Sequence, residues 1–449
     1  MSWKKLVRCG LVLLGALPPV SAQAECLSPL QVSDDRRRIE RKDGLPFFWT
    51  GDTAWRLEQV APDGVDLYLG TRAAQGFNII QGPLLTHDEA DNHYGQRNID
   101  PAQPNEAFFT YIDTIIEKAA EHCLYIAPVV TWSNSVQSNG KYPRLFDDIE
   151  TAYEYGQWLA RRYRHDHVIW IVAGEYNFFS EPSRDDRAIY DAIGRGLREG
   201  GEGRNLITIH GGTAASSSEW FHEASWLDFN MIQSAQHGDD GRGHDNYRLV
   251  EVDYRLRPVK PTLDAEATYE GVPWAIWGDE GVRRRAYWSV FAGGFGHTYG
   301  HWRVWQFEEG WEALLHTPGA EDMRHLKALM LSRPHGRPAD DLIGNNLGPP
   351  HHMKALRHPG GDYSMVYVPR GNGGLRINNP AEPEMITAWW FNPREGTSKV
   401  IGTFASLDHL FFTSPDEAED WVLVLDDAEL RADTIVGPEP VKSSRRSGD

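Results

Sequence analysis

Cysteine is scarce, at three residues in 449. Cys9 lies in the N-terminal leader, so only Cys26 and Cys123 remain. Two thiols are too few for a zinc-type cysteine cluster. The spacing leaves open whether they form one disulfide or stand apart. Positive charge is also in deficit: 45 Lys and Arg face 64 Asp and Glu, a net charge of -19. That excludes nucleic acid and anionic membrane surfaces as main partners, because both require a basic face. A neutral substrate suits the chain better. Beyond the N-terminus no run approaches ~20 apolar residues, so no membrane-spanning helix is expected. There is no Gly-x-Ser-x-Gly elbow, no phosphate loop and no dinucleotide fingerprint after a first strand. Internal repeats and low-complexity segments are absent apart from the alternation described below.

Aromatic residues, in contrast, are plentiful: 17 Trp, 17 Tyr and 17 Phe, in a chain that is 41% hydrophobic. Most of these rings belong in a core, but flat aromatic faces also line sugar-binding clefts. The first 24 residues read as a signal peptide. Lys4, Lys5 and Arg8 precede the apolar "LVLLGALPPV" (11–20), and Ala22-Gln23-Ala24 is a small-residue cleavage pattern. The mature chain is expected to begin at Glu25, and export to a periplasm or the exterior follows from that reading.

The stretch "IWIVAGEYN" (169–177) places a carboxylate, Glu175, at the end of an apolar run. Seven other runs share this design. They are 45–55 with Asp52, 76–85 with Gln81, 124–132 with Thr131 and Trp132, 205–212 with His210, 228–237 with Gln233 and His237, 259–266 with Glu266, and 293–301 with His297 and Tyr299. Helical patterns intervene at 64–75, 107–122, 149–164, 186–199 and 278–293, and more weakly at 214–225, 241–255 and 320–332. Pro104, Asp148 and Asp185 are the expected helix starts. Eight alternations predict an α/β fold, a (β/α)8 TIM barrel over residues 25–335, with its strands buried on both faces. In such barrels the site lies at the C-terminal ends of the strands. From about residue 336 the texture changes to short alternating runs punctuated by Gly, Pro and Asn. This predicts a small antiparallel β-sandwich over 336–430, with 431–449 a disordered tail.

Glu175 and Glu266 end the fourth and seventh predicted strands and fall nearly opposite each other across the barrel mouth. Two carboxylates in that arrangement suit glycosidic bond cleavage: one gives a proton to the leaving oxygen, the other attacks carbon or activates water. Either Glu alone would read as a solvated charge or an ion-pair partner. Asp52 suits a cap or a sugar hydroxyl contact equally well. The residues expected to line the substrate site are Asp52, Trp55, Gln81, Trp132, Asn177, His210, Gln233, His237, Tyr269, His297, Tyr299 and Trp302. His297 and His301 have metal-pair spacing only on a helix, which Gly293, Gly294, Gly296 and Gly300 oppose. No metal or cofactor is expected. The competing reading is a non-catalytic glycan- or matrix-binding protein on the same scaffold. Oligomeric state has no signature in the sequence.

Taken in order, "DGLPFFWTGDTAWRL" (43–57), "GFNIIQG" (76–82), "YGQWLARRYRHDHVIWIVAGEYN" (155–177), "KPTLDAEATYEG" (260–271) and "GFGHTYGHWRVWQ" (294–306) resemble the apiosidase-like family, glycoside hydrolase family 140 and its relatives. The C-terminal domain resembles the β domain that often follows this barrel, sometimes labelled collagen-binding. The resemblance implies a (β/α)8 barrel that hydrolyses plant-type glycans, including apiose-containing side chains of pectin. It assigns the acid/base to Glu175 and the nucleophile to Glu266. One departure stands out. The family usually shows Gly-Gly-Asp before Arg-Asn at strand four, whereas this chain has Ala173-Gly174-Glu175-Tyr176-Asn177. A Glu reaches one methylene further than an Asp, which the reaction tolerates more readily than the substrate preference does.

Overall fold

The computed structural model describes residues 26–87, 91–137, 143–178, 183–234, 246–273, 278–378 and 384–429. The predicted leader (1–24), the C-terminal tail (431–449) and His237 lie outside the described residues. The eight predicted strands all form. They are β1 (Trp49–Thr53), β2 (Ile79–Leu84), β3 (Tyr125–Trp132), β4 (Trp170–Gly174), β5 (Ile207–Thr208), β6 (Asn230–Gln233), β7 (Thr262–Glu266) and β8 (Gly296–Tyr299). Successive strands pair in parallel from β1 to β5 and from β6 to β8, and β8 pairs back to β1.

The expected closed barrel is not completed as a ladder. The result is a curled, nine-stranded, mostly parallel sheet. β5 is two residues long, and the facing edge of β6 is taken by an antiparallel two-residue strand, Ala215–Ser216. Between β5 and the residues leading into β6 a few bonds cross in place of a ladder: Asp228 N–H to the Ile207 carbonyl at 2.9 Å, Ile207 N–H to Asp228 Oδ2 at 2.8 Å and Thr208 Oγ1 to the Phe229 carbonyl at 2.8 Å.

Helices α1 (Pro62–Ala74), α2 (Glu106–Glu121), α3 (Ser133–Val136), α4 (Ile149–Arg162), α5 (Arg184–Gly200), α6 (Ser218–Phe221), α7 (Asn246–Arg255), α8 (Gly278–Phe291) and α9 (Pro318–Ser332) follow in order. Their starts have chemical causes. Asn105, not Pro104, caps α2 by accepting from Ala107 N–H. Asp148 caps α4, as expected from its position. The cap of α5 is Ser183, two residues before Asp185, because Ser183 and Asp186 form a reciprocal capping box. α4 and α5 pack closely, and a Cβ at Gly196 would lie 2.1 Å from the Tyr153 carbonyl.

The strands divide their side chains between two cores with period two. Trp49, Ile79, Tyr125, Ala127, Ile171, Phe229, Met231, Leu263 and Ala265 fill the interior of the curl. Ile80, Ile126, Val130, Trp170 and Val172 face the helices. A disulfide joins Cys26 to Cys123, just past α2, with Cα atoms 5.7 Å apart and 97 positions between them in sequence. In the chain-entropy account a loop of that size is worth about 4.7 kcal/mol.

Among the described residues the C-terminal domain has eight strands: β9 (Arg337–Pro338), β10 (Lys354–Arg357), β11 (Tyr363–Val368), β12 (Gly374–Asn378), β13 (Met385–Asn392), β14 (Thr397–Ala405), β15 (His409–Thr413) and β16 (Trp421–Asp427). Six form an antiparallel sheet in the order β9-β10-β11-β16-β13-β14, and β12 pairs with β15. Leu375, Ile377, Leu410 and Phe412 of the small sheet meet Val366, Ile386, Leu423 and Leu425 of the large one. The other face of the large sheet packs on α8 through Tyr367, Met365, Val422 and Val424. At that junction the buried Arg283 holds Asp420 through two bonds of 2.9 Å and Asp322 at 2.7 Å. Arg333 grips Asp426 with two more, at 2.9 and 2.7 Å.

Candidate functional site

The C-terminal ends of β4, β6 and β7 bring Glu175, Gln233 and Glu266 together with His210. Each arrives by a local device. Interior Met231 and helix-facing Ile232 set the alternation of β6, which turns Gln233 inward. On β7 the same alternation would place Asp264 and Glu266 on one face. Asp264 does point outward, to Ser234 Oγ (2.9 Å) and Asn246 Nδ2 (2.8 Å). The pairing of β7 with β6 shifts register between Asp264 and Glu266. Such a bulge re-aims a side chain, and Glu266 turns instead to His210, whose Nε2 lies 3.2 Å from its Oε2.

Glu175 follows Gly174 with a positive φ of 47°. That region is uncommon for a residue with a Cβ, and strain of this kind gathers at functional sites. The turn is held on both sides: His210 N–H donates to the Ala173 carbonyl (2.9 Å) and Tyr176 N–H to the His210 carbonyl (3.1 Å). Gly174 makes room for an indole. A Cβ there would sit 2.1 Å from the Trp132 ring. Trp132 Nε1 then donates to Glu175 Oε2 at 3.3 Å, and Gln233 Nε2 donates to Oε1 at 3.2 Å.

Electrostatics separates the two carboxylates. Burial, and next the negative charge of Glu266, push the Glu175 carboxyl up from 4.5 to about 7. His210, Gln233 and Trp132 oppose that rise without cancelling it. Glu266 is 2% exposed and is hydrogen-bonded by Tyr269, whose own hydroxyl is raised well above 10 by burial and by Glu266. Tyr269 in turn accepts from Trp55 Nε1 at 2.8 Å. Trp55 packs edge-on against Trp132 (5.7 Å between centroids) and His210 (5.6 Å). An aromatic wall continues from Tyr269 to Trp305 (6.3 Å) and on to Trp302 (5.9 Å). Asn177 stands beside this group, its Oδ1 accepting from Gly212 N–H at 2.7 Å. The arrangement can hold one carboxyl protonated near neutrality while a second is fixed by hydrogen bonds.

Four expected contacts are placed elsewhere. Asp52 is fully buried on the helix side of β1, where it accepts from Tyr68 (2.5 Å) and pairs with Arg72 (2.6 Å) of α1. His297 also points outward. Its Nδ1 lies 3.1 Å from Ser289 Oγ, and burial holds it at about 3 and so neutral. Tyr299 faces the same layer and donates to Glu270 at 2.6 Å. Gln81 points into the curl, but lies below the mouth. It accepts from Thr298 (2.8 Å) and donates to the Ala265 carbonyl (3.1 Å). Trp305 and Trp302 belong to the aromatic-rich stretch 296–306, whose rings the sequence suggests as a wall for a sugar ring, whereas the partners of Asp52 are not foreseen from it. Among the described residues, no group of three or more His, Cys, Asp or Glu is placed to hold a metal ion, and no helix is long and apolar enough to cross a membrane.

A family model described as "Apiosidase-like, catalytic domain" matches residues 33–336, and one described as "Putative collagen-binding domain of a collagenase" matches 338–426. Among solved structures, one described as a glycoside hydrolase is 30% identical with a TM-score of 0.79. The match covers 89% of this chain and 97% of the other. A glycoside hydrolase family 5 structure from Bacteroides vulgatus ATCC 8482 is also 30% identical, with a TM-score of 0.81, covering 92% and 95%. No curated protein matches the chain.

Proposed function

Because this chain belongs to the apiosidase-like family and is a glycoside hydrolase, we propose that Glu175 and Glu266 cleave a glycosidic bond in a plant-type or bacterial polysaccharide, with retention at the anomeric carbon. The observation that carries this reading is the Glu175 carboxyl, raised to about 7 partly by Glu266. Glu175 gives its proton to the leaving oxygen. Glu266 attacks the anomeric carbon and forms a glycosyl–enzyme bond, which water then breaks. When Glu266 is esterified its negative charge is gone, so one cause of the raised Glu175 carboxyl disappears. Glu175, having given its proton to the leaving oxygen, stays ionised as its carboxyl falls back toward the ordinary range, and it takes the proton of the attacking water. Tyr269 and His210 hold Glu266 in the orientation for attack. Trp55, Trp132, Trp305 and Trp302 offer faces to the sugar rings. The metal-free carboxylate chemistry requires no cofactor.

The apiosyl linkage suggested by the family's name is not carried over, because Glu175 extends one methylene beyond the Asp usual there. Export is part of the proposal: the leader pattern in 1–24 and the Cys26–Cys123 disulfide both suit an oxidising compartment. The test is a screen of residues 25–449 against pectic, hemicellulosic and bacterial polysaccharides and aryl glycosides, with Glu266→Gln as control. Proton NMR of the first product reads the anomeric outcome. Product from the wild type alone, with retained configuration, supports the reading. Binding without cleavage by either protein overturns it.

A further inference from the structure

Residues 91–105, between β2 and α2, belong to the same end of the sheet as Glu175 and Glu266, because they connect the C-terminal end of a strand to the N-terminus of the next helix. They carry Tyr94, a ring 58% exposed. The edge of that ring meets Tyr111 at 5.2 Å and 85°, and His93 lies 4.9 Å away. Beside them opens a trough of about 420 Å³, lined by Tyr94, Tyr111, Pro62, Gln96 and Thr110 among others. That volume falls within the roughly 300–1,000 Å³ of small-ligand sites.

The platform is fixed in place. Asn92 Oδ1 accepts from the backbone of Tyr94 (2.9 Å) and of Gln96 (3.0 Å), and Asn92 Nδ2 donates to Gln96 Oε1 at 3.0 Å. Tyr111 donates its hydroxyl proton to the Val60 carbonyl. A preformed aromatic surface loses little freedom on binding. His93 N–H donates to the Glu58 carbonyl at 2.8 Å. Glu58 sits in the single turn Leu57–Gln59, which begins two residues after Trp55. One short, hydrogen-bonded path therefore joins the wall beside Glu266 to the outer ring.

Among polar groups at the trough, Thr110 Oγ1 is engaged with its own helix, at 2.8 Å from the Glu106 carbonyl. The side-chain nitrogen of Gln96, Nε2, makes no hydrogen bond among the described residues and can serve a ligand hydroxyl. We propose that the trough is a distal glycan subsite. It takes one neutral sugar residue stacked on Tyr94 while another part of the same polysaccharide lies at Glu175 and Glu266. The ligand class rests on the hydrolase reading above; the platform itself does not.

The test uses the full chain with Glu266→Gln as a non-cleaving parent. Its migration is measured by affinity electrophoresis through gels cast with pectin, arabinoxylan or a bacterial exopolysaccharide. Tyr94→Ala and Tyr94→Trp are then added to that parent. At least one polymer is expected to retard the parent, Tyr94→Ala to weaken that retention ~10-fold, the order of a lost aromatic anchor, and Tyr94→Trp to restore it. Sized fragments from partial acid hydrolysis are expected to show a loss that grows with chain length. The proposal is overturned by equal retention with and without Tyr94, by a loss as large for disaccharides as for the polymer, or by no retention in any gel. Tyr94-dependent retention with no cleavage by the wild type would refute the hydrolase reading and leave the subsite standing. Cleavage with Tyr94-independent retention would do the reverse.

Discussion

Replacing Glu175 by Gln separates what the site does from what it costs. The Glu175 carboxyl rises from 4.5 to about 7, a difference of about 2.5, and each whole step is 1.36 kcal/mol, so the folded protein disfavours the ionised form by ~3.4 kcal/mol. The direction follows from linkage. A carboxyl raised on folding contributes its full share to stability below pH 4.5 and loses it as pH climbs through 7. Gln has nearly the same shape and no charge to lose. Glu175→Gln is therefore expected to abolish hydrolysis yet stabilise the fold at alkaline pH. The gain approaches ~3 kcal/mol at pH 8.5 and stays below ~1 kcal/mol at pH 5. Urea unfolding of wild type and variant at both pH values measures it. Adding Glu266→Gln to both proteins removes the second cause of the rise, so the alkaline gain shrinks. The wild type should also lose activity above pH 7, as the proton donor ionises. A gain that does not grow with pH, or that appears only in acid, refutes the reasoning.

Asp52→Ala leaves Arg72 buried without its carboxylate, and a loss of ~3–5 kcal/mol is expected in denaturant unfolding. The alkaline limb of activity should stay near pH 7, because Asp52 faces α1 and not the cleft. Gly174→Ala drives a Cβ into the Trp132 ring, which must move off Glu175. A fold that survives with kcat/KM lowered ~100-fold is expected, and wild-type activity in that variant would show that the Trp132 position is not used.

Much of this was legible. The eight apolar runs and their polar ends located eight of the nine strands of the curled sheet but not Ala215–Ser216, and the short alternating runs after 336 located a second, antiparallel β domain without finding Arg337–Pro338, Lys354–Arg357 or His409–Thr413. What misled was face, not place. His210 and Gln233 share the inward register with Thr208 and Met231, whereas Asp52, His297 and Tyr299 alternate with Gly51 and Thr298 and so point outward. A strict count of two from Trp49 inside the curl would have separated Asp52 from the cleft. The same count would have failed for Glu266, because the register break after Asp264 has no signature in "PTLDAE". Partners distant in sequence were equally invisible. Nothing local to "WTGDT" announces Arg72, and nothing in two cysteines 97 positions apart announces their bond.

The junction between α8 and the last strand bears on how the molecule is made. Translation delivers the curled sheet first, and domains generally fold as they emerge. Yet Arg333 finds its carboxylate at Asp426, and Arg283, which Asp322 can meet earlier, gains its two-bond partner at Asp420, both within the final 30 residues of the sequence. Until then Arg333 and the Asp420 side of Arg283 lack their partners, and the eighth helix has no sheet to cover it. A chain stopped at the apparent boundary near 336 would hold that immature surface permanently. The nascent enzyme closes that junction only once Trp421–Asp427 has left the ribosome.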